Sequence, residues 1–137
     1  MEVSLRPNEA GDQQFLWDLH RATMGEYVDR TYGWNDVEQK AKFDGKYRPG
    51  RGEVIELDGV RVGYLQVVRT ESPMHLQQIE IAAEYQGRGI GTQVIESLGR
   101  PVRLRVFKTN PRARRLYERL GFHPTEQIET HDYMERR

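Results

Sequence analysis

The 137-residue sequence predicts an α/β fold built on a mixed sheet, with helices on both of its faces. Three observations predict it. An alternating stretch, His75 to Ala83, passes through the glycine cluster Gly87-Arg88-Gly89-Ile90-Gly91 directly into a helical pattern of Ile90, Val94, Ile95 and Leu98. Gly99-Arg100-Pro101 stops that helix, and Val102 to Phe107 alternates again. Strand, helix, strand in this order reads as a right-handed crossover between parallel strands. Upstream, Asp58-Gly59 joins Val54–Leu57 to Val60–Val68. That pair supplies the positive φ angles of a hairpin turn, so these strands are antiparallel.

Taken in order, Glu2 to Arg6 alternates around Val3 and Leu5 and predicts a first strand. Asn8 to Asp12 is turn-rich, and Asp12 is expected to cap the next helix. Phe15, Leu16, Leu19, His20, Thr23, Met24, Tyr27 and Val28 recur at helical spacing until Gly33 interrupts. Asn35 with Glu38 resembles a capping box, so a second helix runs from about Asp36 to Phe43. Tyr47 to Gly52 is a loop. After the hairpin, Thr70 to Met74 with Pro73 turns into the strand before the glycines. Asn110 caps a last helix with Pro111 at its first position, where a missing N–H costs nothing. Ala113, Leu116, Tyr117 and Leu120 form its apolar stripe, Gly121 ends it, and His123 to Met134 reads as a closing hairpin. The order is β-α-α-β-β-β-α-β-α-β, with room for one more strand.

This length suits a single domain over residues 1–137. No apolar run approaches a membrane span, and MEVSLRPNEAGD has no signal-peptide core. Cysteine is absent, which removes disulfides, thiolate metal sites and a cysteine nucleophile and suits a cytoplasmic protein. The four histidines are too scattered to predict a metal site. Net charge is zero, yet eight Arg and Lys lie between Arg100 and Leu120 against the single acid Glu118. Nucleic acid could be drawn to such a stretch. No aromatic platform is interleaved with the charges, so a solvated surface is preferred and no nucleic-acid partner is expected.

Alternate glycines let successive N–H groups point into one concavity, and the helix that follows adds its own unpaired N–H groups. The combination suits a phosphate or pyrophosphate. A tight turn that binds nothing is the alternative. The position three after Gly89 is Thr92, which excludes a Rossmann fingerprint, and no G-K-[ST] completes a P-loop. Gln86-Gly87-Arg88-Gly89-Ile90-Gly91, preceded by Glu84-Tyr85, resembles the acetyl-CoA loop of the GNAT superfamily of N-acetyltransferases. Asn110-Pro111, Ala113, Leu116-Tyr117-Glu118 and Leu120-Gly121-Phe122 downstream are similar to the same family. The predicted element order is also that of the GNAT fold, except that the helix after the glycines is short.

The resemblance implies acetyl-CoA as cosubstrate and a primary amine of a small molecule or peptide as acceptor; with no ligand spacing in the sequence, no metal is expected. It also allows a homodimer. It places the pyrophosphate on the amides from Gly87 to Gly91, with Gln86, Arg88 and Ile90 in the same loop, and makes other arginines candidates for holding coenzyme A. The pantetheine arm maps to Ile81, Ala82 and Ala83, where the Ile81 N–H would polarise the thioester carbonyl. Asn110 would face the cofactor as well as cap its helix. Tyr117 matches the family's general acid, although its stripe also suits an ordinary core tyrosine. A non-catalytic acyl-CoA-binding sensor would keep the loop and could dispense with that tyrosine.

Acyl transfer to an amine requires the amine to be neutral, the oxyanion to be stabilised and the thiolate to be protonated. The chain has no cysteine and no serine in a nucleophile setting, so direct transfer is expected. Glu80, opposite Ile79 and Ile81 on an interior strand, needs either a purpose or a partner. It is a candidate base, or it pairs with Arg103 or Arg105 on the next strand. Tyr27 and Trp34, beside Glu26, Asp29 and Asp36, would form an aromatic acceptor wall suited to a cationic amine or a peptide N-terminus. Alternatively, they cap the core while the acids face solvent.

Overall fold

The computed structural model describes residues 2–137. Its elements are β1 (Val3–Pro7), α1 (Gln13–Tyr32), α2 (Asp36–Lys46), β2 (Glu53–Leu57), β3 (Val60–Val68), β4 (Met74–Ile81), α3 (Ile90–Glu96), β5 (Val102–Phe107), α4 (Pro111–Arg119), β6 (His123–Gln127) and β7 (His131–Arg136). One seven-stranded sheet has the order β1-β2-β3-β4-β5-β7-β6. Among the described residues only β4 and β5 run parallel. Among the described residues no helix is long and apolar enough to cross a membrane.

The two faces carry different cores. Ile90, Val94 and Ile95 of α3 pack with Leu65, Leu76, Leu104 and Met134 of the sheet, and Ala113 and Tyr117 of α4, with Leu120 at its end, join them. Leu16 and Leu19 of α1 pack on Val54 across the other face, with Phe43, Tyr47 and Tyr64 around them.

The predicted strand from His75 to Ala83 begins at Met74 and ends at Ile81, and Ala83 to Tyr85 form a short helical turn. The strand also contains a bulge that a strict period of two does not foresee. Gln66 pairs with Gln78 but Val67 pairs with Leu76, so Gln77 is the extra residue. The bulge reverses the alternation, which brings Leu76 onto the same core face as Ile79 and Ile81.

Asp12 stands before α1, yet its carboxylate does not cap that helix. Arg6 grips it with two bonds of 2.8 and 2.9 Å, Arg61 adds one of 3.2 Å, and the Glu9 N–H donates at 2.9 Å. These partners hold its pKa well below the ordinary range, the Arg6 bond being the largest cause against the cost of burial. The two remaining caps match the sequence reading: Asn35 accepts from the Glu38 N–H, and Asn110 accepts from the Ala113 N–H.

Arg136, 1% exposed, joins the two helices behind the sheet. Its guanidinium donates to the Ile95 and Leu120 carbonyls and to Glu96, and lies 5.4 Å from the Phe122 ring centre. Arg136→Ala should therefore lower the unfolding free energy by about 2–4 kcal/mol, since the Leu120 carbonyl loses the guanidinium donor and a void remains in the core. Arg136→Met should recover part of that loss by filling the void. Urea denaturation of both variants checks this.

Candidate functional site

β4 and β5 pair only at Met74–Val102, His75–Arg103 and Leu76–Leu104. Beyond Leu76 the two strands have no ladder between them, while β4 stays paired to β3 as far as Ile81. The Ala82 N–H donates to Val62 of β3 at 2.8 Å. Strand alternation therefore turns the N–H and C=O of Ile81 the opposite way, toward the gap. Gly63 on β3 makes the close β3–β4 approach possible, because a Cβ there would run into the Glu80 carbonyl.

At the end of the gap lies the glycine loop. Gly87 and Gly89 have φ of 77° and 81°, and Gly89 in left-handed conformation leads into α3. No backbone N–H from Gly87 to Gly91 finds an acceptor among the described residues. The Gln86 side chain donates to the Ile81 carbonyl at 2.8 Å and so ties loop to strand. Arg88 lies 5.3 Å from the Tyr85 ring centre. The loop therefore offers a row of free donors, a helix start and one flexible cation, which fits an anionic phosphate group. Ala82 and Ala83 have left the strand and begin the turn into this loop.

Tyr117 lies on α4 against the α3–α4 core, with its ring 5.7 Å from that of Phe122. Burial pushes its phenol up to about 12. Asn110 spends its side-chain oxygen on the α4 cap, which leaves its amide N–H₂ free.

Glu80 faces the other side of the sheet and is 4% exposed. Its partner is neither Arg103 nor Arg105. Arg103 instead pairs with Glu126 and lies over Tyr133. Glu80 Oε2 meets His20 Nδ1 of α1 at 2.8 Å. Burial works to lower the His20 pKa, but the Glu80 bond and charge outweigh it, and the net shift is upward. Glu80 and His20 line a cavity of about 490 Å³ between α1, α2 and the sheet. That volume suits a small molecule. Tyr64 also lines it, donating to Gln66 at 3.0 Å, and burial followed by the charge of Glu80 pushes its phenol to about 12.

The two residues expected to form an acceptor wall are not in this cavity. Tyr27 is half-buried, and its carbonyl takes the hydroxyls of Thr31 and Thr109. Trp34 lines a separate shallow depression with Glu26, Asp29 and Asp36, bonds Asp36 through its indole N–H, and stacks 6.0 Å from Trp17. The rings of Trp17, Trp34 and Phe43 stand 6.1–6.4 Å from the His20 ring, so this aromatic group encloses the histidine. His20 is the site residue that sequence reasoning missed. Its signal was a polar side chain beside Leu16 and Leu19 on an inward stripe. No three His, Cys, Asp or Glu side chains among the described residues converge as a metal group would require.

The model of the acetyltransferase (GNAT) domain family matches residues 50–124, more than half of the chain. No individual curated protein matches significantly. Solved structures are similar over almost the whole length. An acetyltransferase from Thermus thermophilus shares 20% identity at a TM-score of 0.73, covering 99% of this chain and 97% of that one. The PaiA N-acetyltransferase of Thermoplasma acidophilum, solved with coenzyme A, shares 15% at 0.74, covering 100% and 99%. Arabidopsis thaliana Naa50, solved with the bisubstrate analogue CoA-Ac-MVNAL, shares 18% at 0.62, covering 100% and 99%. At such identities these structures speak for the fold, and the family match over residues 50–124 adds the activity: the chain belongs to the GNAT family of N-acetyltransferases.

Proposed function

We propose that the protein binds acetyl-CoA along the gap between β4 and β5 and passes the acetyl group directly to a primary amine, of a small molecule or peptide, entering from the α1–α2 face. The observation that carries this reading is the gap itself. It joins the free N–H groups of the glycine loop to the end of β4, where Glu80 faces the cavity and Ile81 turns its N–H outward.

Each residue then has one task. The amides of Gly87, Gly89, Ile90 and Gly91, with Arg88, hold the pyrophosphate, while Gln86 fixes the loop to β4. Backbone at Ile81, Ala82 and Ala83 receives the pantetheine arm, and the Asn110 amide has a free N–H to offer it. Bound acetyl-CoA supplies the thioester. The Ile81 N–H donates to the carbonyl oxygen as it gains charge. A substrate ammonium with a pKa near ~10 must lose a proton before it attacks, and the Glu80–His20 pair receives it. Tyr117 keeps its proton at neutral pH, given a pKa of about 12, and donates it to the departing thiolate.

Amine-dependent release of the coenzyme A thiol, with an acetyl mass gain on the amine, tests the reaction. Tyr117→Phe should lower kcat by about 10–100-fold and leave acetyl-CoA affinity unchanged. Unchanged turnover would remove the tyrosine from the mechanism.

A further inference from the structure

The cavity that holds Glu80 has a charge pattern that acetyl transfer alone does not explain. Among the described residues Glu80 is its only carboxylate, at the buried end. Lys42, Lys46, Arg48, Arg51 and Arg105 line the same cavity and are exposed. Among the described residues only Lys42 of these five forms an ion pair, with Glu38 at 3.8 Å one turn away on α2. Arg48 donates to the carbonyls of Gly45 and Tyr47, and Arg51 to that of Lys46, so their charges are anchored but not neutralised. Lys46 and Arg105 make no side-chain hydrogen bond or ion pair among the described residues.

Coenzyme A phosphates do not account for these cations. The glycine loop opens α3, which packs on the opposite face of the sheet. The cations come from three elements, namely α2, the loop after it and β5, so they are not one solvated helix face. Arg105 also contributes to holding His131 below the usual histidine value, after burial, and His75 likewise, after burial and Arg103. A positive rim around a buried carboxylate is complementary to a molecule with a cationic end and an anionic end.

We infer that the acceptor is a small primary amine that also carries a carboxylate or phosphate, its ammonium directed to Glu80 and its anion to the rim of Lys46, Arg48, Arg51 and Arg105. This rests on the acetyl-transfer reading above and narrows its substrate class. It runs opposite to the cationic acceptor suggested by the acids near Trp34, which lie outside the cavity.

The test uses amines paired so that only the anion differs: amino acids against their amides, phosphoethanolamine against ethanolamine, with spermidine as a cationic arm. Thiol release should give the anionic members a kcat/KM at least about tenfold above their partners, and salt should shrink that ratio. The carboxylate and phosphate arms decide which anion is preferred. Calorimetry without acetyl-CoA should show tighter binding of phosphoethanolamine than of ethanolamine. Arg105→Gln and Lys46→Gln, which break no internal bond, should raise KM for the anionic member and leave that for the neutral one little changed. A neutral or cationic amine used as well or better overturns the inference, as does a panel in which no anionic amine is acetylated. Failure of the folded protein to bind acetyl-CoA overturns the reading underneath instead, and a separate acetyl-CoA titration reports it.

Discussion

Glu80→Gln should lower kcat by about 10²–10³-fold, the scale of a lost general base, while acetyl-CoA affinity stays close to wild type. Glutamine keeps the volume of the buried side chain and an oxygen that can still accept from His20 Nδ1, so the fold should survive. What it lacks is the charge proposed to receive the substrate proton. The same change alters His20. In the wild type its pKa is raised because the Glu80 bond and charge exceed the opposing effect of burial. A raised folded pKa contributes stability that is complete below the unfolded value, near ~6.5, and is lost as pH rises through the folded value. In Glu80→Gln burial dominates, the His20 pKa falls, and the contribution changes sign: stability is then lost as pH falls below ~6.5. Urea midpoints across this interval should therefore differ between the two proteins most at the acidic end. His75 and His131, both held low mainly by burial, titrate in wild type and variant alike, so the difference curve isolates the pair. Unchanged kcat would remove Glu80 as the base, and identical pH profiles would show that it does not set the His20 titration.

Gly89→Glu should weaken acetyl-CoA binding by at least about 10²-fold in a calorimetric titration. Two effects act together. Gly89 sits at φ 81°, so any side chain strains the start of α3, at a cost of roughly 1–2 kcal/mol. The new carboxylate would also stand among the N–H groups proposed for the pyrophosphate and repel it. No heavy atom lies within 4 Å of a Cβ built there, so the side chain fits without disturbing the core. The variant should stay folded with a slightly lower melting temperature. Retained affinity in a folded variant would reduce the loop to a structural turn.

Residues 74 to 122 were the most legible part of the chain, because local chemistry there leaves few options. Asn110-Pro111 admits a helix start and little else, and Gly87 and Gly89 take the positive φ angles that their spacing suggested. The hairpin at Asp58-Gly59 forms, with Asp58 itself at φ 50°. The gap between β4 and β5 was not legible, since no residue pattern announces where a ladder stops.

Long-range choices were not legible. Asp12 looked like a helix cap because its neighbours in sequence need one, but Arg6 and Arg61, brought close by β1 and β3, are stronger partners for a buried carboxylate. Glu80 could have met Arg103 or Arg105 by register, yet the face it occupies is covered by α1, and His20 is what that helix presents there. Trp34 and Tyr27 were adjacent enough to suggest a wall. The turn after α1 instead folds Trp34 back on Trp17, whose enclosure of His20 required α1 and α2 to be packed together.

The sequence by itself thus determined the element order, the mixed sheet and the backbone conformation of Gly87 and Gly89, since backbone freedom, capping and hydrophobic period act within a few residues. Tertiary structure decided the bulge at Gln77, the partner of Glu80 and the positive rim around it. Those depend on which side chains separate elements bring within a few ångströms, and charge and desolvation act through space without regard to distance along the chain.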